Sequence, residues 1–365
     1  MISLLILLSI IPLTLFIGII FGLIPYFINP ELVFGLRVPD YESLEPEISK
    51  MKRENFVYDL AISIFLVILF IVTYTYNQLI LIEFIPLLEI FLMIAVYFYF
   101  RSKTRKLKGK NISSEQQHKI SAFIPAKSTN LNSVWYLIPW IELIIFIIIG
   151  ALYYPSIPST FATHYGVNGK PNAYATKSIF SVFTLLVFIA IPLTLFFDVI
   201  IFAIRKVRSN VNVSTSKKAS LQLKGFNSKL ILFIILVNTI ITFTMFLGSL
   251  LTWGIIPNAY SFVVVLPPIL ILPLVLIFSA KIGQGGWKLY PNIKDDKESD
   301  TIRNDDNEWA GGLVYHNRKD SSIFVPKRYG IGYTLNFGNK WSFVILGIIL
   351  AVPIITIIFI VILHS

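Results

Sequence analysis

Residues 56–100 read FVYDLAISIFLVILFIVTYTYNQLILIEFIPLLEIFLMIAVYFYF, and residues 101–110 follow as RSKTRKLKGK. The first stretch carries no Lys or Arg and is long enough for two passes of about 20 residues through a hydrocarbon core. Its apolar residues run all the way round the helical wheel, as lipid-embedded helices require. Polar residues at Tyr76-Asn77-Gln78 divide it, which predicts a tight helical hairpin. The basic run that follows marks one aqueous face of the membrane.

The same reading along the chain predicts spans at 2–25, 56–76, 79–100, 134–153, 178–202, 230–252, 261–280 and 341–363. Composition agrees. Over 365 residues, 55% are apolar and only 14% are charged, with a mean hydropathy of +0.74. A soluble domain carries about 25% charged residues. The composition therefore excludes a water-soluble enzyme with a single core and a disordered chain. The N-terminus, MISLLILLSIIPLTLF, lacks a basic n-region and a small-residue cleavage site, so a retained helix is expected. The chain has no Cys, which excludes thiolate metal sites, thiol nucleophiles and iron–sulfur ligation.

Cations set the expected orientation. Segments 26–55, 101–133, 203–229 and 281–340 hold 29 of the 31 Lys and Arg residues, leaving Lys170 and Lys177 elsewhere. Cytoplasmic loops retain such residues. These four segments are predicted to face the cytoplasm, with both termini outside. The expected architecture is an all-α polytopic membrane protein of about eight transmembrane helices, with a small cytoplasmic β-containing domain before the last helix. It divides into an N-terminal three-helix region (1–133), a helix pair with an extracellular loop at 154–177 (134–202), helices six and seven (203–285), a cytoplasmic domain (286–340) and the last helix (341–365).

Three aqueous segments are long enough to fold. Segment 29–55 is expected to end in a short amphipathic helix through Pro46–Arg53. Segment 286–340 opens with an acidic stretch, Asp295 to Glu308, read as a flexible linker. Short strands follow at Leu313–His316, Ile323–Val325 and Ile331–Phe337. Lys327, Arg328 and Lys340 would then lie near anionic inner headgroups, with Tyr329, Tyr333 and Trp341 as interfacial anchors. Gly330-Ile331-Gly332 lacks the context of a nucleotide-binding loop and reads as a tight strand bend. The seventh span, with Pro267, Pro268 and Pro273, is expected to kink.

The outer loop holds THYGVNGKPNAYATK, Thr163 to Lys177. Asn168-Gly169 is the commonest pair of a type I′ turn. The loop is either a compact hairpin capping the helix ends or a recognition surface. Within the spans, Glu89 and Glu142 are costly carboxylates with no Lys or Arg beside them in sequence. Their expected partners are Asn238, Thr239 or Thr244. They serve either as protonated interhelical glue or as a proton or cation relay. The histidines are scattered, no nucleophile or metal motif occurs, and no cofactor is expected. The polybasic run after residue 100 fits anionic lipid, with no direct nucleic-acid binding.

Two parts of the chain resemble known families. Pro155, Pro158, His164, Tyr165, Gly169, Pro171, Asn172, Tyr174 and Lys177 follow the order of the DUF1648 domain of SdpI-like bacterial immunity and signalling membrane proteins. Asn172 stands where that family often has Asp, and Tyr174 where Trp is common. The tail resembles the DUF5808 domain through Trp309, Gly312, Tyr315, Asn317, Phe324, Val325, Pro326, Lys327, Gly330, Gly332, Thr334, Asn336, Gly338 and Trp341, with Arg328 among the basic residues of the same motif. FGLRVP, Phe34 to Pro39, resembles a short motif found in such proteins.

The resemblance implies a multipass protein of the bacterial cytoplasmic membrane that protects against, or senses, a membrane-active peptide. The 154–177 loop, with Asn168 at its turn, would meet the peptide. The inner segments would relay to, or sequester, a cytoplasmic transcriptional regulator. The alternatives are a transporter or ion pathway through Glu89 and Glu142, and, with least support, an enzyme.

The predicted sidedness has a direct check in a Cys-free chain. Single cysteines at Asn168 and Ser321 are expected to differ: an impermeant thiol reagent added to intact cells labels the first and spares the second.

Overall fold

The structure, a computed structural model, describes residues 2–38, 41–76, 79–111, 122–125, 133–165, 171–205, 208–211, 216–293, 305–347, 349–351 and 354. Seven helical segments are long and apolar enough to cross a bilayer, and the chain is a multipass membrane protein. The expected eighth span is described only from Lys340, as a shorter apolar helix reaching Ala351. The Asn168-Gly169 turn, Lys170 and the start of the acidic stretch lie outside the described residues.

The first three long helices are α1 (Ile2–Phe27), α2 (Glu45–Thr75) and α3 (Leu79–Asn111). They pack on one another, α2 against both others. The short amphipathic helix expected at Pro46–Arg53 is instead the first part of α2. Glu45 and Glu47 favour the positive end of the helix dipole, and Pro46 in the first turn has no N–H to lose there. At about 1.5 Å per residue, α2 and α3 both outrun a hydrocarbon core of about 30 Å. Both therefore project from the bilayer. Between α1 and α2, β1 (Leu32–Val33) and β2 (Leu36–Arg37) form a minimal antiparallel hairpin.

The second group comprises α4 (Ile138–Tyr153), a helix broken into α5 (Ile179–Val182), a π-helical turn (Thr184–Ala190) and α6 (Ile191–Arg205), and then α7 (Ser216–Thr252). The fifth span is thus not one regular helix. The wide turn ends just before Pro192, which has no N–H and crowds the carbonyl of the preceding turn. In α8 (Leu266–Ile282), Pro267 and Pro268 occupy the first turn rather than the middle, so only Pro273 interrupts the helix. A 3-10 segment, Asn258–Val264, precedes it. Strand β3 (Ala122–Pro125) pairs antiparallel with β6 (Arg208–Val211), a sheet absent from the sequence reading.

Outside the helices, two small structures matter. Strands β4 (Thr160–Tyr165) and β5 (Pro171–Thr176) form an antiparallel hairpin with a bulge after Ala162. Phe161 and Ile157 bury themselves with Phe146, Phe183 and Trp253 on the ends of the second helix group. The described strands of this loop thus pack against the helix ends.

At the other end, β7 (Trp309–Ala310) pairs with β8 (Val314–Tyr315), and β9 (Phe324–Pro326) with β10 (Tyr333–Leu335). Strands β8 and β10 fall within the expected segments, β9 overlaps its segment but runs one residue further to Pro326, and β7 is additional. Gly330 and Gly332, with φ of +92° and +97°, turn the chain between β9 and β10 as a tight bend.

Asn336 organises this unit. Its fully buried amide donates to the carbonyls of Asn317, Asp320 and Ser322, at 2.9, 2.9 and 3.1 Å. Its Oδ1 accepts from the N–H groups of Asn317 and Gly338, at 3.0 and 2.9 Å. Replacing it with Ala strands these groups away from water at about 1–3 kcal/mol for each lost satisfaction. Asn336→Ala is expected to release residues 305–340 to limited proteolysis while the helices keep their circular dichroism.

Candidate functional site

The basic segments converge on one end of the molecule, and the small domain is docked there by specific contacts. Arg328 is 3% exposed and pairs with both Asp305 and Asp306. It also donates to the Gly35 carbonyl at 3.2 Å. Asp306 accepts from Lys108 at 2.7 Å and from the Arg37 N–H at 3.2 Å. Arg101 donates to the Phe34 carbonyl at 3.0 Å, and Tyr97 OH to the Gly311 carbonyl at 2.7 Å. Gly35 and Gly312, with φ of +72° and +74°, face each other so closely that a Cβ on either would stand 3.0 Å from the other's Cα. The FGLRVP segment and the tail domain are therefore one packed unit.

This corrects four expectations. Arg328 does not face headgroups, because two carboxylates hold it inside the protein. Tyr329 is 8% exposed and packs beside Tyr97 and Phe34, with ring centroids 4.3 and 6.5 Å away, so it is no interfacial anchor. Burial raises its phenol pKa. Tyr333 bonds Asn227 of α7, and of the three aromatics Trp341 is the exposed one. The end of the acidic stretch is also no linker: Asp305 and Asp306 are the counter-ions of the dock. Its earlier part lies outside the described residues.

A second site lies within the first helix group. Asn55, Asp59 and Ser63 stand four residues apart on α2 and form one buried stripe. Asn55 donates to Asp59 Oδ2 at 2.8 Å. Ser63 Oγ lies 2.6 Å from Glu89 Oε1 and 3.2 Å from the Asp59 carbonyl. Asp59 and Glu89 are 1% and 0% exposed, and Asp59 Oδ1 and Glu89 Oε2 have no hydrogen-bond partner among the described residues. Gly18 lets α1 approach: a Cβ there would meet Ser63 Cβ at 2.8 Å.

Glu142 belongs to the other helix group, 2.5 Å from Thr242 Oγ1. The expected partners Asn238, Thr239 and Thr244 are not used by either acid. Thr244 instead bonds back to the Ile240 carbonyl. No hydrogen bond among the described residues joins Glu89 to Glu142. Asp59 was missed by the sequence reading, although its spacing with Asn55 and Ser63 was the available signal.

The structure places the outer-loop residues in several roles. Lys177 Nζ donates to the carbonyls of Ile157 and Pro155, at 2.9 and 3.2 Å, and stands 4.7 Å over the Tyr154 ring. It braces the hairpin base. Tyr174 is 60% exposed on β5, and the backbones of His164 and Tyr165 lie in β4. Pro171 begins β5, which continues through Asn172. Among the described residues, no group of three or more His, Asp or Glu could hold a metal ion.

The ion pairs of the dock have a pH sign. Burial alone would raise the Asp306 carboxyl, but the Lys108 hydrogen bond and the Arg328 charge outweigh it and hold the pKa below its ordinary value. A depressed folded-state pKa stabilises above the unfolded value and is lost as pH falls through the carboxylate range. Acidification below about pH 4, through the depressed folded-state pKa, is expected to loosen residues 305–340 to protease. Asp306→Asn is expected to cost about 1–3 kcal/mol at neutral pH and to flatten that acid dependence.

Comparison with protein-family models finds a domain of unknown function, DUF1648, over residues 142–190, and a family of unknown function, DUF5808, over residues 318–342. The first match covers α4 from Glu142 onward, strands β4 and β5, α5 and the π-helical turn. The second begins after Trp309, Gly312, Tyr315 and Asn317, so those positions lie outside it. No curated protein and no solved structure matches the chain, and the SdpI-like part of the resemblance has no matching relative behind it.

Proposed function

We propose that the chain is a sensor or immunity protein of the bacterial cytoplasmic membrane, in which the β4–β5 hairpin meets a membrane-active peptide and the small domain answers inside. The role is binding, with no catalytic step. The supporting observation is the course of α7. With 37 residues, it extends about 55 Å and touches both candidate elements. At the hairpin end Trp253, next after α7, donates from Nε1 to the Val182 carbonyl at 2.9 Å and packs in the cluster containing Phe161. At the basic end Gln222 donates to the carbonyls of Trp287 and Leu289, both at 3.1 Å, and Asn227 bonds Tyr333. A peptide that shifted the hairpin against Trp253 would act on a rigid element seated on the small domain. A cytoplasmic regulator held at the basic end would be the receiver.

A second reading, a proton or cation pathway, has its own observation: the unpartnered oxygens of Asp59 and Glu89. Because Glu142 lies in a separate helix group, such a pathway would use the Asp59–Glu89 site without it.

One experiment separates the readings. Cells lacking the protein, and cells complemented with wild type, Tyr174→Ala, or the double variant Asp59→Asn/Glu89→Gln, are challenged with a panel of membrane-active peptides. The expected result is protection by wild type and the double variant, and several-fold weaker protection with Tyr174→Ala. Equal killing of all strains across the panel removes the peptide reading. Protection lost only in the double variant, at equal protein level, transfers the function to the buried acids.

A further inference from the structure

A cavity of about 240 Å³ opens at the basic end, walled by the small domain, the β1–β2 hairpin and the first turns of α7. Three cations line it, Arg37, Lys327 and Arg328, against two carboxylates, Asp305 and Asp320. These charges are unequally engaged. Arg328 and Asp305 are paired. Asp320 accepts from Tyr315 OH and the Ser322 N–H, at 3.1 and 2.8 Å.

The unengaged polar groups of the wall are donors. Lys327 is held by its main chain: its carbonyl accepts from Gln284 at 2.8 Å, and its N–H donates to the Gly332 carbonyl at 3.0 Å. Its ammonium has no ion pair among the described residues, and burial without a counter-ion lowers its pKa. Trp309 is 6% exposed, yet its indole N–H has no acceptor among the described residues. Arg37 pairs through Nη1 with Glu31 at 3.0 Å, while its Nε stands 3.7 Å from Asp305 and makes no hydrogen bond among the described residues. A buried donor left unmade is costly, and a buried cation more so. An anion answers both deficits at once.

We propose that this cavity binds a small anionic group, a phosphate or a carboxylate, held by Lys327, Trp309 and Arg37. The volume falls below the roughly 300–1,000 Å³ of pockets for drug-sized ligands, which limits the occupant to a single compact group. Two sources share this chemistry: the headgroup of an anionic lipid, and a soluble anion. The occupant would tie the small domain to β2. The proposal does not need the peptide-binding step of the peptide-sensing reading, which is placed on the β4–β5 hairpin at the other end of α7.

The test uses the full chain in phosphatidylcholine nanodiscs, with Tm followed as inorganic phosphate is added against sodium chloride of equal ionic strength. The series is repeated without phosphate in nanodiscs containing phosphatidylglycerol. A rise of Tm with phosphate is expected for a soluble anion, and a rise only with phosphatidylglycerol for a headgroup. Either rise must vanish in Lys327→Gln and need about tenfold more ligand in Trp309→Phe, the loss expected for one charge-assisted or buried hydrogen bond. Trp309→Phe keeps a ring beside Tyr315 and loses the N–H, so it remains informative if Lys327→Gln lowers the unliganded Tm. No rise from either source overturns the proposal, as does a rise that survives unchanged in both variants.

Discussion

A guanidinium with almost no access to water is the pivot of this molecule. Arg328 could not be buried alone, since desolvating an unpaired cation costs several kcal/mol. Asp305 and Asp306 neutralise it, and the Gly35 carbonyl takes a further N–H. Satisfying that one side chain draws together three stretches far apart in sequence: the β1–β2 hairpin, the residues entering β7 and the end of β9. Lys108 then ties the same carboxylate to the projecting end of α3. Tyr97 and Arg101 reach from α3 to the main chain of both partners. Such a pair is weak evidence for extra stability and stronger evidence for a unique arrangement, because a shifted register would leave the charge uncompensated.

The dock explains why α2 and α3 outrun the bilayer. Their projecting ends are the platform on which β1, β2 and the small domain sit. Through Gln222 and Asn227, the first turns of α7 complete that platform, while Trp253, next after its far end, closes over the β4–β5 hairpin. The β4–β5 hairpin and the small domain are thus held at opposite ends of one helix. The buried acids belong to different helix groups and answer to different partners, Ser63 for Glu89 and Thr242 for Glu142. One continuous relay through both is not the arrangement the hydrogen bonds describe.

Much of this was legible in the residues because it rests on local rules. Apolar runs located the helices, Gly330 and Gly332 marked the bend between β9 and β10, and the flanks of Asn168-Gly169 paired as strands. The failures share a cause. Arg328 and Tyr329 were assigned to the membrane surface from their types, since a basic and an aromatic residue beside a span ordinarily snorkel. Asp305 and Asp306 were assigned to a linker because the stretch before them is polar. Each assignment judged a residue by its neighbours in sequence, and each residue is governed by a partner at least 20 positions away. Asp59 escaped for the opposite reason: one carboxylate in a long apolar run is easily passed over unless its four-residue spacing to Asn55 and Ser63 is counted.

The sequence by itself determined that lipid is the solvent, where most helices lie, and that cations crowd alternate loops. Those properties follow from transfer free energies summed over contiguous residues, and no fold is needed to evaluate them. Only the tertiary structure decided which charges are buried, which partners satisfy them and which ends of which helices carry the small domain. Ion pairs and hydrogen bonds act over a few ångströms in space, and sequence order does not record that distance.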